Sequence, residues 1–368
     1  MFDLAIWAER LGDGGAAAAI GAILGLAFGI LAQRTGFCAR SAFIDIGRGS
    51  LTRALPVWLA ALGAALISAT VATASGAIAL ASVSLKVDPV SVSGAVVGGA
   101  LFGIGMVLAR GCASRHVVLA GTGNLRSWAT LAVFAVVAFA AIAGPLAPMR
   151  RAAAGLWTIS PVQNELANLF GGLAMAPLAI GVTALLAAIA LAFANRTGRI
   201  AVFGGAGIGL LLTAGWVLTS MLAGQTFEPT RVETIAFTGP ATKVFEQLLS
   251  VGAGPISFQV ALIPAVAVGA ALASLPGGFR LQWFATPAAI GRYVIGGTLM
   301  GFGGALASGC TVGALGNAAL SISVAWIALL AMAAGAILTD RLIDSPARPS
   351  ISPSTESDRL LPTGQFVV

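Results

Sequence analysis

Charge is scarce in this chain, and the shortage excludes an ordinary soluble surface. Charged side chains make up 9% of the 368 residues, against about a quarter in a typical soluble domain. All thirteen acidic residues fall in the N-terminal lead-in, the connections or the tail, and none in the middle of an apolar run. That argues against a carboxylate proton relay or a cation site at membrane depth. Histidine occurs once, as His116, and cysteine three times, as Cys38, Cys112 and Cys310. The His116–Cys112 spacing alone leaves a tetrahedral metal site half empty, so neither a metal nor a cofactor is expected. Three thiols cannot all pair, their spacings suggest no structural disulfide, and CxxC is absent. Met1–Asp13 has no basic start and apolar middle, so it is not a cleavable signal peptide. With Phe2, Leu4, Ile6, Trp7 and Leu11 it reads as a short amphipathic lead-in.

What is abundant is apolar sequence, 58% of the chain, in runs of about twenty residues that can cross a hydrocarbon core of roughly 30 Å. Nine spans are expected, near 15–33, 54–81, 90–109, 126–147, 174–194, 199–217, 257–275, 290–308 and 321–341. The fold class is an all-α integral membrane protein. From Ser345 the chain is rich in Pro and Ser and reads as a disordered tail. The net charge of +7 reads as topology. With the N-terminus outside, fourteen of the twenty Lys and Arg residues fall on the inner side, as the positive-inside rule requires. The C-terminus is then cytoplasmic.

The three cysteines end three similar runs, at TGFCARSAF, ARGCASRHV and ASGCTVGAL. Glycines stand nine and thirteen residues earlier each time: Gly29 and Gly25, Gly103 and Gly99, Gly301 and Gly297. GGALFGIGMVLARGC (98–112) aligns without gaps on GGTLMGFGGALASGC (296–310), at an offset of 198 residues. A weaker copy, GGAGIGLLLTAGW, ends at Trp216, with Gly207, Gly209 and Gly215 as its marks. Four helix-then-break units make an internal repeat. The expected halves are 1–150, with breaks at Cys38 and Cys112, and 151–344, with breaks at Trp216 and Cys310; 345–368 is the tail. The positive-inside count puts the first two breaks inside and the last two outside, so the halves are inverted, as in many transporters. Glycine of this abundance also suits close helix packing, which leaves the Cys and Trp endings unexplained.

A non-helical turn at membrane depth belongs inside protein or beside a polar cavity. The short helix after each turn offers free N–H groups and a positive dipole end, which favour an anion. A thiol beside them is a weak donor with a soft sulfur, suited to an anion that itself carries soft sulfur. A thiolate would repel that anion, so the neutral form is required. The candidate pathway residues are therefore Cys38, Cys112 and Cys310, with Gly36, Gly111 and Gly309 at the turns. Arg110, two residues before Cys112, attracts an anion or anchors its helix. Trp216 walls the site or sits at an interface. Asn124 and Asn317 are caps or ligands, and Asp45 has Arg34, Arg40 or Arg48 as a partner. Arg40 and Arg115 lie in segments where solvation is the default, and His116 would hydrogen-bond at the inner mouth.

The motifs GFCARSAF, ARGCASR and SGCTVGALGN resemble those of the YeeE/YedE family of sulfur-compound transporters, and the resemblance runs to about residue 342. It implies inverted-repeat spanning helices, with short re-entrant helices meeting at a constriction. It also implies that Cys38, Cys112 and Cys310 relay thiosulfate by S–H···S hydrogen bonds without covalent exchange. A small cytoplasmic sulfur-carrier protein of the TusA type is the implied partner. The expected activity is that of an inner-membrane permease for thiosulfate or a close sulfur anion, not an enzyme, with Cys310 nearer the outer side. A membrane thiol-redox protein and a soft-metal channel are the rival readings of the same cysteines.

Overall fold

A backbone in hydrocarbon must satisfy its polar groups within itself, and this chain does so with helices. The computed structural model describes residues 5–50, 54–80, 83, 89–164, 175–225, 231–250, 256–275, 281–284 and 286–344. Phe2, Leu4 and the expected tail 345–368 lie outside the described residues. The helices are α1 (Ala5–Thr35), α2 (Ala39–Arg48), α3 (Ala54–Ala74), α4 (Val92–Leu108), α5 (Ala113–Gly121), α6 (Leu125–Ile142) and α7 (Ala147–Gly155). They continue as α8 (Ala176–Ala194), α9 (Arg199–Ala223), α10 (Thr238–Leu249), α11 (Phe258–Ser274), α12 (Pro287–Leu306), α13 (Thr311–Ala319) and α14 (Ser323–Ile343). A two-stranded antiparallel ribbon, β1 (Val90–Ser91) on β2 (Thr158–Ile159), ties the start of α4 to the segment after α7.

Among the described residues, eight segments are long and apolar enough to cross a membrane. The ninth expected span, α11, has 17 residues. At 1.5 Å per residue it is about 25 Å long.

Glycine lets the long helices approach until main chain meets main chain. On α4, a methyl group at Gly98 would lie 2.6 Å from Ala307 N and 2.7 Å from Gly303 O of α12; one at Gly296 would lie 2.6 Å from Ala109 N and 2.7 Å from Gly105 O. Each residue in the second set is the first set's counterpart shifted by 198. Gly99 and Gly103 of α4 face Ala328 and Met332 of α14, while Gly297 and Gly301 of α12 face Thr130 and Phe134 of α6 at the same offset. Because Gly98 meets Gly303 and Gly105 meets Gly296, α4 and α12 run antiparallel. The first and third units exchange contacts likewise. Gly25 and Gly29 of α1 abut Leu262 and Val266 of α11, and Gly205 and Gly209 of α9 abut Val57 and Ala61 of α3.

The break expected at Trp216 does not occur. Helix α9 runs unbroken from Arg199 to Ala223, and Thr219 Oγ1 bonds Gly215 O 2.7 Å away within it. The glycines that match Gly25 and Gly29 by contact are Gly205 and Gly209, not Gly207. The position nine residues beyond Gly209 is Leu218, inside the helix, and no left-handed residue stops the turn there. Trp216 instead packs against α13, its indole N–H donating to Gly316 O at 3.2 Å.

Ion pairs gather where α2 ends and α14 ends. Arg48 forks onto Asp340 at 2.7 Å, Arg292 holds Asp344 at 3.1 Å, and Arg40 reaches Asp344 only at 3.9 Å. Arg48 thus bridges to a helix 292 residues away, and Ser50 Oγ donates to Asp45 at 3.4 Å.

Candidate functional site

The three cysteine breaks share one construction. Two residues before each cysteine stands a left-handed residue: Gly36 (φ 68), Arg110 (φ 58) and Ser308 (φ 58). The next amide reaches back five residues to close the helix end: Phe37 N to Ala32 O at 3.2 Å, Gly111 N to Met106 O at 2.9 Å, Gly309 N to Gly304 O at 2.9 Å. This is the Schellman ending, and Arg and Ser adopt at a steric cost what glycine adopts freely. The cysteine that follows is extended and is the N-cap of the next short helix: Cys38 of α2, Cys112 of α5, Cys310 of α13. Ser, Thr, Asp and Asn are the usual occupants of that position. A thiol there caps less well, so its recurrence points to a use for sulfur.

All three thiols are free and buried. Cys38 and Cys112 lie near enough for each thiol to act on the other, so the starts of α2 and α5 converge. Ser114 Oγ is 3.3 Å from Cys112 Sγ. Cys310 Sγ accepts from Gly313 N–H at 3.5 Å and also faces the amides of Phe237 and Thr238. Those amides open α10, so Cys310 stands where the starts of α10 and α13 meet. This fourth helix start was missed from sequence, where Trp216 held its place. The signal available is Thr238-Gly239-Pro240, since proline favours the first turn of a helix. The segment is carried there by Glu233 and Thr219, whose main chain and hydroxyl bond at 2.8 and 3.0 Å, and by Thr234 Oγ1 on Leu212 O at 2.6 Å.

Between the two sites lies an aromatic contact also missed from sequence. The ring of Phe28, fully buried on α1, meets Phe37 at 6.3 Å and Phe237 at 5.4 Å. Phe37 precedes Cys38, and Phe237 is the N-cap of α10.

The other expected site residues are dispersed. Arg110 and Ser308 point outward as exposed helix-end residues. Asn124 is the N-cap of α6, its side chain accepting from Ser127 N at 3.2 Å, while Asn317 is half-buried near the end of α13. Trp216 supports α13 from behind rather than ending a helix. His116 is buried, with Nδ1 3.1 Å from Ser127 Oγ, and its ring meets Tyr293 edge to face. Arg40 and Arg115, expected to be solvated, are half-buried beside Cys38. Outside the spans, Glu233 accepts from Gln259 Nε2 at 2.7 Å, and burial raises its carboxyl above the ordinary range.

The comparisons with known proteins agree with this architecture. The "Thiosulfate transporter TsuA" of Spirochaeta thermophila is 27% identical over 307 residues, covering 80% of this chain and 88% of that protein. The "Thiosulfate transporter TsuA" of Escherichia coli is 27% identical over 337 residues, covering 86% and 91%. A family model described as "Sulphur transport" matches residues 34–338, a stretch that contains all three cysteine breaks and runs from the end of α1 into α14. The chain therefore belongs to the sulphur-transport family, of the YeeE/YedE type, and is a multi-pass membrane transporter.

Proposed function

We propose that this chain is an inner-membrane permease that imports thiosulfate, or a closely related sulfur anion, by passing it between three neutral thiols. The observation that carries the reading is the placement of every cysteine at the N-cap of a short helix. An anion there meets unpaired N–H groups, a positive dipole end and a soft S–H donor together. These offset part of the cost of stripping water from the anion. The curated relatives named for thiosulfate support the choice of substrate.

In this reading, residues 1–150 and 151–344 are inverted copies. The reciprocal contacts at an offset of 198 residues support it, because a two-fold relation makes i meet j as j meets i, and antiparallel α4 and α12 give the inversion. The short helices α2, α5, α10 and α13 are re-entrant, with α11 as the ninth span. The arginine-rich end faces the cytoplasm with the C-terminus, while Cys310 receives the anion from outside. The anion then passes the Phe28 contact to Cys38 and Cys112. Consumption by a sulfur-carrier protein of the TusA type would draw it inward.

Uptake of labelled thiosulfate by a strain lacking other routes tests this, with sulfite and selenite as comparison substrates. Cys→Ala at 38, 112 and 310 should each abolish uptake; normal uptake in all three variants would refute the relay. The closeness of Cys38 and Cys112 favours a second reading, a thiol-redox protein in which two thiols become a disulfide while reducing a partner disulfide. That reading predicts a mixed disulfide trapped in Cys38→Ser or Cys112→Ser. A soft-metal channel gains no such support, since no three His, Cys, Asp or Glu cluster among the described residues.

A further inference from the structure

On the first turns of the helices that Cys38 and Cys112 cap are three cationic or hydrogen-donating side chains with buried nitrogens that find no partner among the described residues. They are Arg40 Nε, Arg115 Nη1 and His116 Nε2. His116 is 1% exposed, and both guanidinium groups lie near enough to act electrostatically on His116 and on Cys38. Arg115 has no ion pair among the described residues. Among the described residues, Arg40 has one ion pair, the 3.9 Å contact with Asp344, whose carboxylate Arg292 already holds at 3.1 Å. Buried donors without acceptors are costly, and two arginines beside one histidine repel one another.

We propose that Arg40, Arg115 and His116 form an oxyanion site, which receives the sulfur anion as it leaves the Cys38–Cys112 thiols. The proposal rests on the transport reading above and adds a fourth station to it. Ser127 Oγ lies 3.1 Å from His116 Nδ1; in the tautomer in which Nδ1 accepts from that hydroxyl, the ring proton sits on Nε2. Nε2 faces Gly111, where a methyl group would stand 3.1 Å from it; glycine keeps that approach open. The thiols offer soft contact to the terminal sulfur, whereas guanidinium and imidazole N–H groups suit the anion's oxygens. The chemistry at this station is therefore blind to the sulfur, and sulfate fits it as well as thiosulfate does.

The test uses the full-length transporter in liposomes, with labelled thiosulfate uptake and the thermal shift produced by sulfate as readouts. His116→Leu and Arg115→Gln should each lower uptake about tenfold or more, as loss of a charge-assisted contact does, and each should shrink the sulfate-induced shift. His116→Gln, which keeps an N–H near the place of Nε2, should restore most of both. Arg115 is half-exposed, so Arg115→Gln carries the test if His116→Leu does not fold. Uptake and sulfate shift both unchanged in Arg115→Gln and His116→Gln, with His116→Leu also active or unfolded, overturn the site. Cys-dependent uptake in the wild type alongside those unchanged variants defeats the oxyanion site alone. Uptake absent from the wild type, or insensitive to all three Cys→Ala changes, defeats the transport reading itself.

Discussion

The helix starts at Cys38 and Cys112 and those at Cys310 and Phe237 are counterparts in the proposed repeat, yet their chemistry differs. The first meeting point has two thiols, with Arg40, Arg115 and His116 close by. The second has a single thiol held by Gly313 N–H, a phenylalanine in place of the other thiol, and Glu233 on the segment leading to it. Matching backbone with unequal side chains separates two tasks. In the proposed pathway the helix starts supply anion affinity at both places by geometry alone, and the unequal side chains set a direction. On that reading an anion gains the buried donors of Arg40, Arg115 and His116 at the Cys38–Cys112 end, which makes that end the deeper well.

The largest expected effect is a loss of transport without loss of fold. Cys112→Ser and Cys310→Ser replace a weak cap with a strong one, so thermal unfolding should rise by up to about 1 kcal/mol in each. Uptake should nevertheless fall at least about tenfold, because a hydroxyl lacks the soft S–H contact. Retained uptake in the serine variants would mean that the cap, and not sulfur, is what the site needs. A smaller effect is expected at the contact between the two ends. Phe28→Ala removes the ring that touches both Phe37 and Phe237. It should cost about 3–5 kcal/mol of stability and weaken selectivity, letting sulfate leak where thiosulfate alone had passed. Competition by sulfate in liposome uptake measures this, and unaltered selectivity would remove Phe28 from the pathway.

How much of this was legible in the sequence depends on how local each feature is. The breaks at Cys38, Cys112 and Cys310 are readable because a left-handed helix end and an N-cap are set within about five residues. The match of 98–112 to 296–310 is readable because the same glycines must meet the same partners twice. The fourth unit was misplaced for the complementary reason. In GGAGIGLLLTAGW several glycines compete for one register, and only the contact with Val57 and Ala61 selects Gly205 and Gly209. Phe237 was invisible as a helix start because residues 231–237 are brought to Cys310 by bonds to Thr219 and Leu212, on a separate helix. Arg40 and Arg115 follow their cysteines in segments that look solvated, and only the convergence of α2 with α5 buries them. Substrate chemistry was legible only through family resemblance.

The equivalence of the two halves can itself be tested by moderate changes. Gly98→Ala and Gly296→Ala would each drive a methyl to 2.6 Å from main-chain atoms across the α4–α12 contact. Overpacking of this kind costs about 1–3 kcal/mol or more. The two losses, read by thermal unfolding in detergent, should be alike, and strongly unequal losses would break the symmetry. Ser308→Gly should act in the other direction. Relief of the left-handed strain at φ 58 should stabilise the protein by about 1 kcal/mol, and no gain would mean that the strain is absorbed elsewhere.

The smallest effect is expected at Glu233, on the segment that leads to Cys310. Burial raises this carboxyl above its ordinary range, against the opposing hydrogen bond from Gln259. The folded state therefore holds the proton more tightly than the unfolded chain does. The favourable contribution is complete below the unfolded carboxylate value, about 4.3, and is lost as pH rises through the higher folded value. Glu233→Gln keeps an acceptor for Gln259 and cannot ionise, so it should match the wild type at low pH and exceed it near neutrality. Melting temperatures measured from pH 4.5 to 8 should diverge with rising pH. Parallel curves would show that water reaches the carboxylate, and the segment that brings Phe237 to Cys310 would then be held by Thr219 and Thr234 alone.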